Sequence, residues 1–352
     1  MAIVQIGATA TKRVVSHLTK TSCRSRGATF STSCAGSDQN RSRAPATGTC
    51  AARRYFASSA KPGLPPPVPI HEVCIDPQSV NAQTSIAQAL SPYHKSQTPI
   101  VLRSVLCKTD ASYCWPSLDY LQAAVGADTP VYVEIGRSYV DEDVQKPEIT
   151  FGEYVEYMRH FEEKYRAGDG EEAVQATPQP SEIVYLAQND LPPALYSDFE
   201  LPRLCDDAEF AQQHQVGQGK LYSCMLWFGP RGTVSPLHFD PLDNLLMHVV
   251  GKKRVLLYPR TAGLTDDDID NNRTMSFAEQ GAWTYAGSGG TQYNTSPVNV
   301  EEPDFAKYPL FASSPPAIEC TLNPGDVLFI PAKWWHHVRS LTRSVSVNAW
   351  WI

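Results

Sequence analysis

A histidine and an aspartate two residues apart, His238-Phe239-Asp240, and a histidine doublet far downstream, His336-His337, are the residues of this chain best suited to chemistry. Side chains at i and i+2 of a strand point to one side, so His238 and Asp240 can share a metal while Phe239 faces away. One more imidazole completes a set of two histidines and a carboxylate. That set takes three positions on one face of Fe(II) and leaves three open for a cosubstrate and dioxygen. The same residues also suit a histidine that is merely hydrogen-bonded in a core. The context favours the metal: Pro236 and Pro241 bracket the pair, and a strand-turn-strand leads into Trp334-Trp335-His336-His337. Neighbours on a strand face opposite sides, so at most one member of the doublet reaches the metal. The other is then partly exposed or lies behind the ligand. Spacing does not choose between them.

Lys253 opens the strand after the turn at Gly251-Lys252. A lysine buried beside iron needs an anion, and the distal carboxylate of a keto acid would supply one. A solvated lysine beside a hairpin turn is the alternative. Asn244 shares strand parity with Leu246, His248 and Val250. If Asn244 faces the site, His248 also points inward, as a structural histidine.

The elements that must position these residues are short strands. Leu221–Phe228, 244–250, 253–258, Ala317–Leu322, Val327–Ile330 and Ser344–Trp350 read as strands, with Asn323-Pro324-Gly325-Asp326 as a strong turn. Short strands at this spacing predict a barrel or jelly roll. Upstream, the pattern predicts helices over 82–91 and Leu118–Val125, and strands over Pro99–Leu102, Val131–Ile135 and Ile183–Ala187. Thr150-x-x-Glu153 is a capping box ahead of a helix running to about Arg166. The expected organisation is a basic N-terminus over 1–60, a Pro-rich linker over 61–67, an α/β extension over 68–180, and a β domain over 181–352. The β domain carries an insertion at 261–316, with an acidic run at Asp266–Asp268 and Asp270 and a Gly287-Ser288-Gly289-Gly290 stretch.

The 352 residues are 42% hydrophobic and 19% charged, a globular composition. No apolar run approaches the ~18 residues of a helix that spans a bilayer, which argues against an integral membrane protein. The net charge of −7 conceals an asymmetry: residues 1–60 hold nine Lys/Arg and one acid, leaving 21 bases and 36 acids beyond. The acidic body disfavours nucleic acid as a partner and attracts cations. The acid-poor, Arg/Ser/Ala-rich start, ending in Arg54-Tyr55-Phe56-Ala57-Ser58, has the composition of a mitochondrial transit peptide, nucleus or cytoplasm being the alternatives. The nine cysteines are scattered without a C-x-x-C pair, as reduced thiols are. N-x-S/T triplets occur at Asn40, Asn272 and Asn294 and read as chance matches.

The run Trp227-Phe228-Gly229-Pro230-x-Gly232-Thr233-x-Ser235-Pro236-Leu237-His238-x-Asp240-Pro241 resembles the signature of JmjC-domain Fe(II)/2-oxoglutarate oxygenases. It most resembles the lysine-specific demethylase 8 branch, also described as protein arginyl hydroxylases. Val133-Glu134-Ile135-Gly136, Tyr185-Leu186-Ala187-Gln188, Asn244, Gly251-x-Lys253, Pro324-Gly325-Asp326, Phe329-Ile330-Pro331, Lys333-x-Trp335-His336-x-Val338-Arg339 and Ser346-Val347-x-x-Trp350-Trp351 follow the same pattern. The resemblance covers about 98–352. It implies a mainly β protein, a cupin-like double-stranded β-helix (jelly roll) with an N-terminal α/β extension. It implies Fe(II) on His238, Asp240 and His336, choosing His336 from the doublet. It implies 2-oxoglutarate against Tyr185, Ser235, Asn244 and Lys253, with Trp350 near the pocket, Glu134 near the substrate side chain, and O2 as the oxidant. The implied activity is hydroxylation of a protein or peptide with a cationic side chain, to which the acids Asp141 and Glu142 near Glu134 also point. Histone lysine demethylation, hydroxylation of a tRNA base and a non-catalytic binding module are the alternatives. Phe239, where the family pattern is polar, His337, where it is aromatic, and the long insertion depart from it.

Overall fold

The computed structural model describes residues 64–136, 145–165, 178–262 and 294–352. The basic stretch 1–60, the first part of the linker, Asp141, Glu142, the acidic run at 266–270 and Gly287–Gly290 lie outside the described residues. So do the first two N-x-S/T triplets.

Among the described residues, eight strands build the jelly roll: β8 (Leu221–Gly229), β9 (Val234–His238), β10 (Asp243–Val250), β11 (Lys253–Tyr258), β12 (Ile318–Leu322), β13 (Val327–Ile330), β14 (Trp335–Ser340) and β15 (Ser344–Trp351). They divide between two sheets. One contains β13-β10-β15-β8 and the other β12-β11-β14-β9, with every neighbour antiparallel. Sequence-adjacent strands mostly cross from one sheet to the other, which is the jelly-roll pattern the strand spacing predicts.

Short upstream elements extend both sheets. β1 (Val68–Pro69) adds to β12, and β2 (His71–Cys74) and β3 (Ile100–Arg103) add beside β13. At the far edge of the larger sheet, β7 (Val184–Asp190) and β5 (Glu134–Ile135) follow β8, while β4 (Pro130–Tyr132) pairs with β6 (Glu148–Thr150). The single strand expected over Val131–Ile135 is therefore two. The alternation persists, with Val131 and Val133 buried and Tyr132 exposed. The chain, however, changes partner from β6 to β7 in passing.

Helices cover the outer face of the larger sheet. They are α1 (Ala82–Ser96), α2 (Asp110–Cys114), α3 (Leu118–Val125), α4 (Phe151–Lys164) and α5 (Ala208–His214). α3 has the expected bounds. α1 runs one turn beyond its expected end, past Pro92, and stops where Gln97 adopts a left-handed φ of 51°. α4 carries the full capping box: Thr150 Oγ1 accepts from Glu153 N–H at 3.2 Å and Glu153 Oε2 accepts from Thr150 N–H at 2.9 Å. Ile86, Leu90, Leu118, Leu121, Phe151, Tyr154, Met158 and Phe161 of these helices pack on Leu245, Met247, Val347 and Trp351 of the sheet. Each fully buried side chain of this size contributes about 1.5–3 kcal/mol.

Inside the barrel, Leu246, Leu328 and Ile330 of the larger sheet meet Val255, Leu257, Leu322 and Val338 of the smaller one. A third cluster covers the smaller sheet from outside. Leu237, Phe239, Leu256 and Trp335 are capped there by Val298, Val300 and Phe311 of the segment returning from the insertion. The parity expected to run from Asn244 to Val250 breaks at its end. Leu246 lies in the interior, but Val250 packs with the helices, because the pairing with β15 shifts register between His248 and Val250.

Candidate active site

The two histidines come together because β9 and β14 are paired neighbours with His238 opposite His336. Their rings stand 4.1 Å apart between centroids. Asp240 lies just past the end of β9 and not within it, yet its carboxylate returns to the pair, with Oδ2 3.7 Å from His336 Nε2. Ligand atoms of His238, Asp240 and His336 all lie within 4.8 Å of one another, the only such group among the described residues.

Hydrogen bonds set which nitrogens serve. His238 Nδ1 donates to the Pro236 carbonyl at 2.7 Å and His336 Nδ1 donates to the Trp334 carbonyl at 2.9 Å. Each bond makes Nε2 the ligand nitrogen. Burial, reinforced by His238, lowers the His336 pKa to about 4 against the opposing pull of Asp240, so the imidazole is neutral at pH 7. Asp240 Oδ2 accepts from Trp350 Nε1 at 2.9 Å and from Asn244 Nδ2 at 3.3 Å. Asn348 Nδ2 in turn donates to Asn244 Oδ1 at 2.8 Å and fixes which way that amide faces. Two imidazoles that both present Nε2 and one oriented carboxylate, converging from one side, fit a divalent iron of facial geometry.

The triad forms one wall of a pocket that also takes in Tyr185, Gln188, Trp227, Ser235, Leu246, Lys253, Ile330, Val338, Asn348 and Trp350. Two β-bulges assemble it. Ser235 and His238 are three residues apart and would face opposite ways on a regular strand. The register of β9 on β14 slips between them, and both line the pocket. Tyr185 and Gln188 do the same on β7. The slip against β8 there coincides with Gln188 in a left-handed φ of 52°. Tyr185 lies so close to β8 that a Cβ on Gly229 would sit 2.5 Å from its ring, so this strand position must be glycine.

Lys253 is 2% exposed. Its Nζ lies 6.0 Å from the Tyr185 ring centroid, and no carboxylate among the described residues pairs with it. Burial alone pulls its pKa down to about 7. The Tyr185 hydroxyl hydrogen-bonds Ser235, and burial raises the phenol pKa. Lys253 can occupy this place because Gly251 makes the preceding turn at φ 82°, where a Cβ would strike the Arg343 carbonyl at 1.8 Å.

The remaining candidates sort as follows. His337 faces the other way, toward Arg254, Glu301 and Arg339, and at 4% exposure it is buried, which rules out the first of the two places the sequence left open for it, partly exposed or behind the ligand. His248 is fully buried, bonded through Nδ1 to Ser346 Oγ at 2.9 Å, and stands outside the ligand group. Glu134 is beside Tyr185 through the β5–β7 pairing but does not line the pocket; its Oε1 holds Lys146 Nζ at 2.9 Å. Phe239 faces away from the metal, as the parity predicts. Gln188, Trp227 and Asn348 line the pocket without having been given roles from the sequence. Asn348 has a legible signal, since it is two residues before Trp350 on one strand. Gln188 does not, because its bulge inverts the parity.

Comparison with known proteins agrees with this geometry. A model of the Cupin-like domain matches residues 87–352. Lysine-specific demethylase JMJ30 of Arabidopsis thaliana is 35% identical over 267 residues, 76% of this chain and 53% of that protein. Lysine-specific demethylase 8 of Danio rerio is 33% identical over 272 residues, 76% of this chain and 56% of that protein. The human tRNA wybutosine-synthesizing protein 5 is 35% identical over 153 residues, 43% of this chain and 40% of its own. The chain thus spans about half the length of the curated relatives it matches. The matched domain, the jelly roll and the relatives together show that this chain belongs to the cupin-like JmjC family of Fe(II)/2-oxoglutarate-type oxygenases.

Proposed function

We propose that this protein is an Fe(II)- and 2-oxoglutarate-dependent protein hydroxylase acting on an arginine or lysine side chain. The observation that carries the reading is the pairing, in one pocket, of a metal triad with a buried ammonium that has no carboxylate among the described residues. A buried cation is costly without an anion, and the distal carboxylate of 2-oxoglutarate is an anion of the right kind. His238, Asp240 and His336 would hold the iron; bound there, it supplies activation of O2 coupled to oxidative decarboxylation of 2-oxoglutarate. Lys253 would hold the C5 carboxylate as a point charge, with Tyr185 and Ser235 adding hydrogen bonds. Leu246, Ile330 and Val338 supply apolar lining to the same pocket. The structure gives Asn244 a use other than cosubstrate contact, since its amide is spent on Asp240.

Glu134 lies next to the strand bearing Tyr185 but is already paired with Lys146, so a cationic substrate group is supported by the acidic charge of the body and not by a free carboxylate there. The names of two relatives favour a second reading, lysine demethylation. The name of a third favours a tRNA base, but the acidic body opposes a phosphate backbone. A binding module without catalysis need not keep both the triad and the buried lysine. The test is to incubate the protein with Fe(II), 2-oxoglutarate and arginine-, lysine- or methyl-lysine-containing peptides, reading succinate and peptide mass. Gain of one oxygen on arginine or lysine supports hydroxylation. Loss of a methyl group supports demethylation, and succinate formation that only RNA stimulates supports the tRNA reading. No succinate with any substrate refutes the enzyme. Residues 1–60 would direct the protein to mitochondria, a proposal that import of a reporter carrying residues 1–65 tests.

A further inference from the structure

The segment that returns from the insertion does more than cover an apolar face. Thr295 bridges His238 in antiparallel register on the free edge of β9. Phe239 N–H donates to the Asn294 carbonyl at 3.0 Å, Asn294 Nδ2 donates to the Phe239 carbonyl at 2.8 Å, and Ser296 N–H donates to the Leu237 carbonyl at 2.8 Å. Both backbone polar groups of Phe239, the residue between two ligands, are therefore bound by one residue, Asn294. Asn294 thus holds Phe239 just where the chain turns to bring Asp240 back toward His336, the Asp240 carbonyl itself accepting from Lys333 N–H at 2.7 Å. The far end of the segment is anchored too: Glu301 takes Arg339 of β14 in a two-point ion pair. Thr295, Ser296, Val298 and Val300 between the anchors are all buried.

We infer that Asn294 is a positioning residue for the metal site, acting through the Phe239 backbone, and that the returning segment is a brace across the back of the His238–His336 pair. The inference rests on the metal reading of the triad. It also explains Asn294-Thr295-Ser296: the amide nitrogen is engaged with the chain, so this triplet is a structural feature and not a glycan acceptor. Residues that orient metal ligands from behind typically change metal affinity 10–100-fold when lost.

The test is Co(II) binding to the full chain, measured by competition with a chelating dye, for wild type, Asn294→Ala, Asn294→Asp and Gln83→Ala. Asn294→Asp keeps the volume but removes the donor. Gln83 makes a remote side-chain bond of the same kind, its Oε1 accepting from Arg203 N–H at 3.0 Å, and controls for general loosening. The expected result is affinity about tenfold weaker in both Asn294 variants and unchanged in Gln83→Ala, with the Co(II) ligand-field bands altered only in the former. Affinity within twofold of wild type in Asn294→Asp overturns the inference while leaving the metal site standing, as does an equal loss in Gln83→Ala. A wild-type protein that binds no Co(II) overturns the metal reading itself.

Discussion

Phe239 and Trp335 meet edge to face, 5.1 Å between ring centroids at 78°, on the outer surface of the smaller sheet. Each is the chain neighbour of a metal-facing histidine, so the contact ties the backs of His238 and His336 together. It also accounts for an apolar residue in the middle of H-x-D: Phe239 is sealed under Val298, Val300 and Phe311. Phe239→Ala should cost about 3–5 kcal/mol of stability, the range for a large aromatic removed from a core. Urea denaturation measures it, and a loss below about 1 kcal/mol would mean that the cap does not seal this face.

Lys253 makes the cosubstrate end of the pocket sensitive to pH in a direction that can be stated. Its pKa is pulled from an ordinary 10.5 to about 7 in the folded protein. Between those values the unfolded chain binds the extra proton, so stability rises with pH, by up to about 1.4 kcal/mol per unit, and below pH 7 the whole penalty is present. Lys253→Met should flatten this rise, leave the protein at least as stable at pH 7, and abolish 2-oxoglutarate turnover. Denaturation profiles from pH 7 to 10 and succinate release check the two halves separately.

The same shift couples cosubstrate binding to a proton. Above pH 7 the amine must be protonated to pair with a carboxylate, so 2-oxoglutarate affinity should fall about tenfold per pH unit. Calorimetry in two buffers of different ionisation enthalpy should show uptake of about one proton per ligand at pH 8. No uptake would mean that another residue meets the carboxylate.

Much of this was legible in the residues. The strand pattern predicts six of the eight barrel strands, all but β9 and β14, and Thr150-x-x-Glu153 marks the start of α4 because capping is a local interaction. What stayed hidden depends on pairing between distant strands. Strand parity cannot place Ser235 beside His238 or Tyr185 beside Gln188, since each needs a bulge imposed by the neighbouring strand. Val250 leaves its expected face for the same reason. The role of Asn294 is invisible for a different one: it is 55 residues from Phe239 in sequence and meets it only when the insertion returns.

Trp350 was expected near the pocket, and its indole N–H on Asp240 Oδ2 says why. A carboxylate that accepts two fixed donors on one oxygen is steered in how it presents the other to a metal. Trp350→Phe keeps the ring and deletes the donor, so metal affinity should weaken about tenfold while global stability changes by less than about 1 kcal/mol. Co(II) titration beside thermal denaturation separates the two. Equal metal affinity would show that Asn244 alone orients Asp240.

The histidine doublet yields the sharpest contrast. His336 and His337 are equally buried, but only the first belongs to the ligand group; the second lies on the opposite face of β14, beside Glu301 and Arg339. His336→Ala should abolish metal binding, since two remaining ligands cannot hold a facial site. His337→Phe, an aromatic that the neighbouring core can accommodate, should leave metal affinity within about threefold of wild type, because only Nε2 of its neighbour faces the metal. Parallel Co(II) titrations of the two variants decide the matter: loss of binding in His337→Phe with a folded protein would assign the third ligand to the wrong member of the pair.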